Sequence, residues 1–375
     1  MNLLKYPGGK ERELKYILSN LPKFNNYFEP FVGGGSVFLN INASQYYIND
    51  KSEDLINLYH CVKNGDKDFF HVVSSINYNW ILLSNIVYSD REFFLIIYDK
   101  YREDKISELT LVDTIFEYLF DNARKFNGML SVDFNFAIDN FIHEIKKNLV
   151  SKLSRMKKLE SEKGNLSTLD RISNFECAFK SAFYTHFRYL FNKKEELNLP
   201  HAYQVGIFLF IREMCYSSMF RYNSIGEFNV PYGGISYNHK TFDTRINQYK
   251  NELYAKLLKT EIVCDDFYNF VTSVNIKEND FVFLDPPYDS DFSTYDKNTF
   301  DKFDQERLYN YLLNECVGLF MLIIKRTDFI SQLYLSEQVC KNGRKLKVDS
   351  FEKKYQVSFK NRNNKNAEHL VITNY

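Results

Sequence analysis

The sequence predicts an α/β fold, a mostly parallel sheet interrupted by a large helical insertion, on three observations. Phe281 to Leu284 is a short unbroken apolar run, as expected of a strand buried on both faces of a parallel sheet. Tyr27-Phe28-Glu29 reads as a strand entering a glycine turn at Gly33, Gly34 and Gly35. Tyr46-Tyr47-Ile48 is a further strand, delivering Asn49 and Asp50 at its carboxyl end.

In chain order, Lys5-Tyr6-Pro7-Gly8-Gly9-Lys10 comes first. Its glycines permit close backbone approach, and Lys10 can face a carboxylate or a phosphate. Glu11 to Leu21 alternate charged and apolar residues at helical spacing and stop at Pro22. The glycine turn then runs into a predicted helix entering at Ser36 with Val37, Phe38 and Leu39. Such a turn suits a nucleoside cofactor without saying which one, because the backbone can pack closely against it. Asp50 is placed to meet ribose hydroxyls, although it sits somewhat closer to the glycines than the roughly 20 residues of dinucleotide folds. A helix cap before Leu55, Ile56 and Leu58 is the competing reading of Asp50.

From Cys61 to about Pro200 the pattern is helical. Ile138, Ile142, Ile145, Leu149, Leu153 and Met156 recur every three or four residues, marking an amphipathic helix that Gly164 ends. Lys146, Lys147, Lys152, Arg155, Lys157 and Lys158 crowd the same segment. They read first as a solvated face whose stems cover apolar surface, and second as phosphate contacts. Phe175, Phe179, Phe183, His186 and Leu190 mark a second helix of core residues, and Tyr203 to Phe220 a third.

Later, Ile262 to Phe267 reads as a strand ending in carboxylates. A capped helix start is the alternative for Asp266. Asp285-Pro286-Pro287-Tyr288 follows the central apolar run, and the prolines stop the ladder because neither can donate a hydrogen bond. A carboxylate, a carbonyl and an aromatic ring there suit a planar base: Asp285 and the Pro286 carbonyl accept its two amino hydrogens and Tyr288 stacks on it. A surface turn is the alternative. Asp289 to Asp296 is a polar loop, Leu319 to Ile324 another buried strand, and Tyr355–Phe359 with His369–Ile372 a closing hairpin around a basic, asparagine-rich loop.

With 375 residues the chain has room for two or three domains. Its formal net charge of zero confines any nucleic-acid contact to local basic patches. The six cysteines are scattered and the seven histidines lack ligand spacing, which points to reduced thiols and no metal. Without a signal peptide or an apolar run that spans a bilayer, the expected location is the cytoplasm.

Four stretches carry a resemblance: Lys5 to Lys10, Phe28 to Ser36, Arg221 to Gly233 and Asp285 to Tyr288. In this order they are similar to the Dam family, adenine-specific DNA methyltransferases of the permuted alpha group. The likeness covers the first sixty residues and most of the chain from Ile211 onward. It implies a Rossmann-like methyltransferase sheet from residues 1–60 and 255–375, and a mainly helical target-recognition domain over 61–254. It also implies S-adenosylmethionine as cofactor and double-stranded DNA as partner. A restriction endonuclease becomes a candidate second partner, and the oligomeric state stays open.

By the same resemblance, Asp285, Pro286, Pro287 and Tyr288 are catalytic. Tyr6, Lys10, Glu29, Phe31, Gly33, Gly35, Ser36 and Asp50 hold the cofactor. So do Asp266 and Phe267, which flank its adenine, together with Asp285 and Tyr295. Lys5, Tyr216, Arg221, Asn223 and Asn229 face DNA. Three departures stand out. The segment at about 65–200 is longer than the family's usual one. Ser217, Ser218 and Met219 replace its common residues, so its GATC specificity is not carried over. Lys325-Arg326 stand where many members have Ser-Asn.

Overall fold

The computed structural model describes residues 2–6, 9–129, 136–287, 300–354 and 366–375, the side chains of 127–129, 353, 354, 366 and 367 excepted. The chain divides into two compact units, one of residues 1–64 with 251–375 and one of residues 65–250.

The first unit is built on a seven-stranded sheet. Its strands are β1 (Tyr27–Glu29), β2 (Tyr46–Asn49), β3 (Thr260–Val263), β4 (Phe281–Leu284), β5 (Leu319–Lys325), β6 (Lys347–Lys354) and β7 (Asn366–Thr373), in the order β3-β2-β1-β4-β5-β7-β6. The first five pair in parallel, and β7 runs antiparallel to both β5 and β6. All residues of β1 and β4 are apart from solvent, which is why β4 reads as a continuous apolar run rather than an alternating one, while β1 ends on the buried Glu29. Side chains still alternate in direction. Phe28, Val282 and Leu284 join a core with Phe270, Leu308, Leu312 and Ile330. Tyr27 and Phe281 instead form an aromatic layer with Phe24. Asp280 sets the start of β4, its carboxylate accepting the Asn26 and Lys277 N–H groups at 3.1 and 2.9 Å.

Several predicted elements are shorter or displaced. Only a 3-10 turn, Phe38–Asn40, forms after Ser36. The β1–β2 crossover is residues 30–45, and the glycine turn takes its first part, so the chain left between Ser36 and Tyr46 is too short for a full helix and the return to the sheet. The first helix is confined to Leu14–Ser19. The closing hairpin takes Lys347–Lys354 as its first strand; Tyr355–Phe359 and most of the basic loop lie outside the described residues. Arg326, just past β5, pairs with Glu368 of β7 at 2.8 Å and so ties these two interior strands together.

The second unit is helical. The Ile138–Lys163 helix spans about 40 Å at 1.5 Å per residue and ends at Gly164, whose φ is 91°. Ile145, Leu149, Leu153 and Met156 are buried, while Ile138 and Ile142 are half-buried and Phe141 takes the inward place. The Thr168–Asn192 helix buries Phe175, Phe179, Phe183, His186 and Leu190. Phe183 and Phe210 pack on Trp80 at centroid distances of 6.0 and 5.4 Å, and Phe187 stacks on Phe183 at 4.4 Å. The third helix ends at Met214, not at Phe220. On the long helix, Lys147 pairs with Glu144, and Lys157 with Asp104 and the Tyr101 carbonyl. Arg155 and Lys158 are solvated.

Candidate active site

The strand order reverses between β1 and β4: the chain proceeds outward through β2 and β3 on one side and through β5 on the other. Open α/β sheets bind ligands outside the carboxyl ends of strands at such a switch point. Here those ends are Glu29 leading into the glycine turn, and Asp285.

The turn is fixed from three sides. Gly33 and Gly35 have φ of 48° and 73°, open to glycine without strain. Asp50 accepts the Gly33 N–H at 2.9 Å and the Ser52 N–H at 3.0 Å, so its carboxylate ties the turn to β2. The Tyr59 hydroxyl donates to the Gly33 carbonyl at 3.0 Å, and a Cβ on Gly35 would lie 2.5 Å from that hydroxyl. From the amino terminus, Leu3 N–H bonds the Gly34 carbonyl at 2.8 Å and Tyr6 lays its ring against Gly33. Ser36 is buried beside Gly9.

Glu29 is buried under the turn. Its Oε2 accepts from the Tyr27 hydroxyl at 2.8 Å and the Phe38 N–H at 3.0 Å. Burial, and then the charge of Asp285, push its carboxyl well above the usual range, against the pull of those donors and of Lys10. At the end of β4, the Lys10 ammonium pairs with the Asp285 carboxylate. Lys10 is only 2% exposed and Asp285 19%, so the pair stands at the wall of the sheet rather than in bulk water. Pro286 is buried and Pro287 exposed. The Pro287 carbonyl accepts from the buried Gln305 side chain at 3.0 Å, anchoring the turn to the Lys302–Asn314 helix. Tyr288 and Tyr295 lie outside the described residues.

Asp266 caps the Phe267–Ser273 helix, accepting the Tyr268 N–H at 3.0 Å, and pairs with Arg307 at 2.7 Å. Phe267 is buried with Phe31 and Phe300, at centroid distances of 5.4 and 5.6 Å. The Arg307 guanidinium covers the Phe267 ring at 5.1 Å. The structure thus brings Tyr6, Lys10, Glu29, Gly33, Gly35, Ser36, Asp50 and Asp285 to one neighbourhood at the carboxyl ends of β1, β2 and β4. Phe31, Asp266 and Phe267 gather beyond β3. Gln305, Arg307 and Tyr59 had no distinguishing signal in the sequence, since a Gln, an Arg or a Tyr on an amphipathic helix is ordinary.

Comparison with known proteins decides what this sheet belongs to. The profile of the family described as D12 class N6 adenine-specific DNA methyltransferase matches residues 6–180 and 169–348, most of the chain. The chain belongs to this family. It is similar to Type II methyltransferase M.CviBI of Paramecium bursaria Chlorella virus NC1A, 35% identical over 176 residues, which are 45% of this chain and 60% of that one. It is 26% identical over 350 residues to Type II methyltransferase M.MjaIII of Methanocaldococcus jannaschii, covering 88% and 86%. To the DNA adenine methylase of Escherichia coli K12 it is 37% identical over 126 residues, 34% of this chain and 41% of that protein. The protein is therefore an enzyme of DNA adenine methylation.

In this methyltransferase the second unit carries the Arg221–Gly233 hairpin. Arg221 donates to Asn229 through Nε at 2.8 Å and Nη2 at 3.2 Å, so the two residues predicted to meet DNA hold each other across the hairpin. Asn223 accepts the Ile225 and Glu227 N–H groups at 3.2 and 2.8 Å, closing the tip. Tyr216 is 48% exposed. Lys5, in the sheet unit, is exposed. Among the described residues no group of three or more His, Cys, Asp or Glu is arranged to hold a metal, and no helix is long and apolar enough to cross a membrane.

Proposed function

We propose that this enzyme transfers a methyl group from S-adenosylmethionine to the N6 amine of an adenine flipped out of duplex DNA at a specific site. Residues 1–60 and 255–375 carry the chemistry, and 61–254 read the target. The observation that carries this reading is the Lys10–Asp285 pair beside the glycine turn at the sheet's switch point.

The residues present fit the cofactor. Asp50, Asp266 and Asp285 offer carboxylates to hydroxyl and amino groups, and Phe31 and Phe267 offer aromatic faces to a purine. Each carboxylate oxygen has a second lone pair, so the donors that Asp50 and Asp266 already serve do not bar a ligand. When bound, S-adenosylmethionine supplies an activated methyl on a sulfonium.

The chain's own part is to present the nucleophile. Adenine's amino lone pair is delocalised into the ring. Asp285 accepts one N–H and the Pro286 carbonyl the other, drawing the nitrogen toward tetrahedral geometry; stacking is assigned to Tyr288. Lys10 fixes the orientation of Asp285, and Gln305 fixes the Pro287 carbonyl that comes next in the turn. Flipping the base costs roughly a few kcal/mol, which contacts from the second unit offset. Positioning then supplies much of the acceleration, because the reacting groups need no further encounter. Three relatives are named Type II methyltransferases, which supports a role opposite a restriction endonuclease.

Asp285→Ala is expected to lower transfer of labelled methyl to duplex DNA by at least about a hundredfold, with a much smaller loss of cofactor affinity because Asp50, Asp266, Phe31 and Phe267 remain. Turnover within a few-fold of the unaltered enzyme removes Asp285 from the mechanism.

A further inference from the structure

We propose that Arg212 is a positioning residue for DNA recognition: it holds a strained corner that presents Tyr216. This rests on the reading of Tyr216 and the following hairpin as the DNA-facing part of the second unit. The corner is Ser217-Ser218. Both residues have positive φ, 54° and 51°, with neither a glycine nor an asparagine to accommodate it. Left-handed backbone at L-residues is costly and persists where surrounding contacts over-determine it.

Those contacts converge from one side. Arg212, in the last turn of the His201–Met214 helix, is 1% exposed. Its guanidinium donates to the Met219 carbonyl at 2.6 Å and the Ser218 carbonyl at 3.4 Å, and lies over the Phe220 ring at 3.9 Å. The Cys215 thiol also reaches the Met219 carbonyl, at 3.6 Å. On the other side, Tyr216 N–H bonds the Pro231 carbonyl at 2.8 Å and Cys215 bridges Tyr232. The corner is thus stapled between the helix end and the strand leaving the hairpin. Tyr216 is the large side chain it leaves exposed. A buried charge beside backbone carbonyls has no part in methyl transfer, so its use is to keep this turn in a conformation the sequence itself disfavours.

The test is a KM comparison on folded, full-length enzyme, with duplex DNA and S-adenosylmethionine varied separately. Arg212→Met is expected to raise KM for DNA about tenfold, the ratio expected when a disfavoured corner loses its brace, with KM for the cofactor unchanged. Arg212→Lys keeps the charge but loses the fork, and falls between. Adding Ser217→Gly and Ser218→Gly to Arg212→Met removes the strain and restores KM for DNA to within about twofold. Tyr216→Ala is the control for the underlying reading. If it leaves KM for DNA unchanged, Tyr216 is not a DNA contact and both readings fall. If Tyr216→Ala raises KM and Arg212→Met does not, or the glycines fail to restore it, the brace alone is overturned.

Discussion

The carboxyl edge of the sheet and the Tyr216–Gly233 segment are each held in a fixed shape, by different means. At the sheet edge the backbone is relaxed: its left-handed positions are glycines, and the fixing groups are Asp50, Tyr59 and the Lys10–Asp285 pair. In the helical unit the backbone is strained at serines, and Arg212, Arg221, Asn223 and Asn229 bond to their own segment. A pocket that must approach a small molecule closely needs the glycines. A surface that meets a large partner can carry side chains at its turns, provided something braces them.

The difference predicts that the glycine turn will not tolerate what the serine corner does. Gly35→Ala puts a methyl 2.5 Å from the Tyr59 hydroxyl at a φ of 73°. It should cost about 2 kcal/mol in a urea melt and weaken cofactor affinity measured by calorimetry. A variant as stable and as tight as the parent would erase the contrast between the two regions.

A second effect, smaller at neutral pH, separates the units by the sign of their response to acid. Glu29 sits in the sheet unit with its carboxyl raised above the ordinary 4.5. The folded state therefore keeps that proton longer than the unfolded chain, and the stability it contributes declines as pH rises past 4.5 toward the raised value. His186 in the helical unit is pulled down by burial to about 3 from 6.5. There the unfolded chain binds the extra proton, so stability declines as pH falls from 6.5 toward 3. Glu29→Gln should flatten the alkaline decline and His186→Asn the acidic one, read from melting temperature across pH. Slopes that do not change on substitution would show that other groups govern both.

The smallest effect is expected on the long helix. Arg155→Ser and Lys158→Ser should leave the salt dependence of DNA binding unchanged, because Lys147 and Lys157 of that helix are engaged within their own unit and these two face solvent. A slope reduced by about one per residue would make the helix a phosphate track and extend the DNA-facing surface.

Much of the sheet was legible because burial on both faces leaves only apolar residues: β4 and β5 lie where their runs do. The glycine turn and Asp285 were legible for the matching reason, that close approach and strand termination each admit few residue types. What escaped is set by partners distant in sequence. Lys10 was open to a carboxylate or a phosphate; only the fold shows that it meets Asp285. Asp266 caps its helix, as its structural alternative foresaw, whereas the Glu53–Lys63 helix has Ser52 as its N-cap and Asp50 instead ties the glycine turn; both sets of contacts leave lone pairs for a ligand. The helix expected after Ser36 failed on chain length, and the one running to Phe220 failed because Cys215 leaves helical geometry to bridge Tyr232. Ser217-Ser218 gives no hint of left-handed backbone, since its cause is the guanidinium behind it.

One arrangement in the sheet unit bears on how the inserted helical middle is accommodated. The Glu53–Lys63 helix, from which the chain departs, packs against Tyr254–Leu257, by which it returns, and Lys63 bonds the Thr260 carbonyl at 2.8 Å. Exit and re-entry are therefore neighbours, roughly one helix diameter of about 10 Å apart. The inserted segment therefore leaves and rejoins the sheet unit without interrupting the parallel register of β2 and β3. The size of the middle is thereby uncoupled from the geometry of the sheet's carboxyl edge.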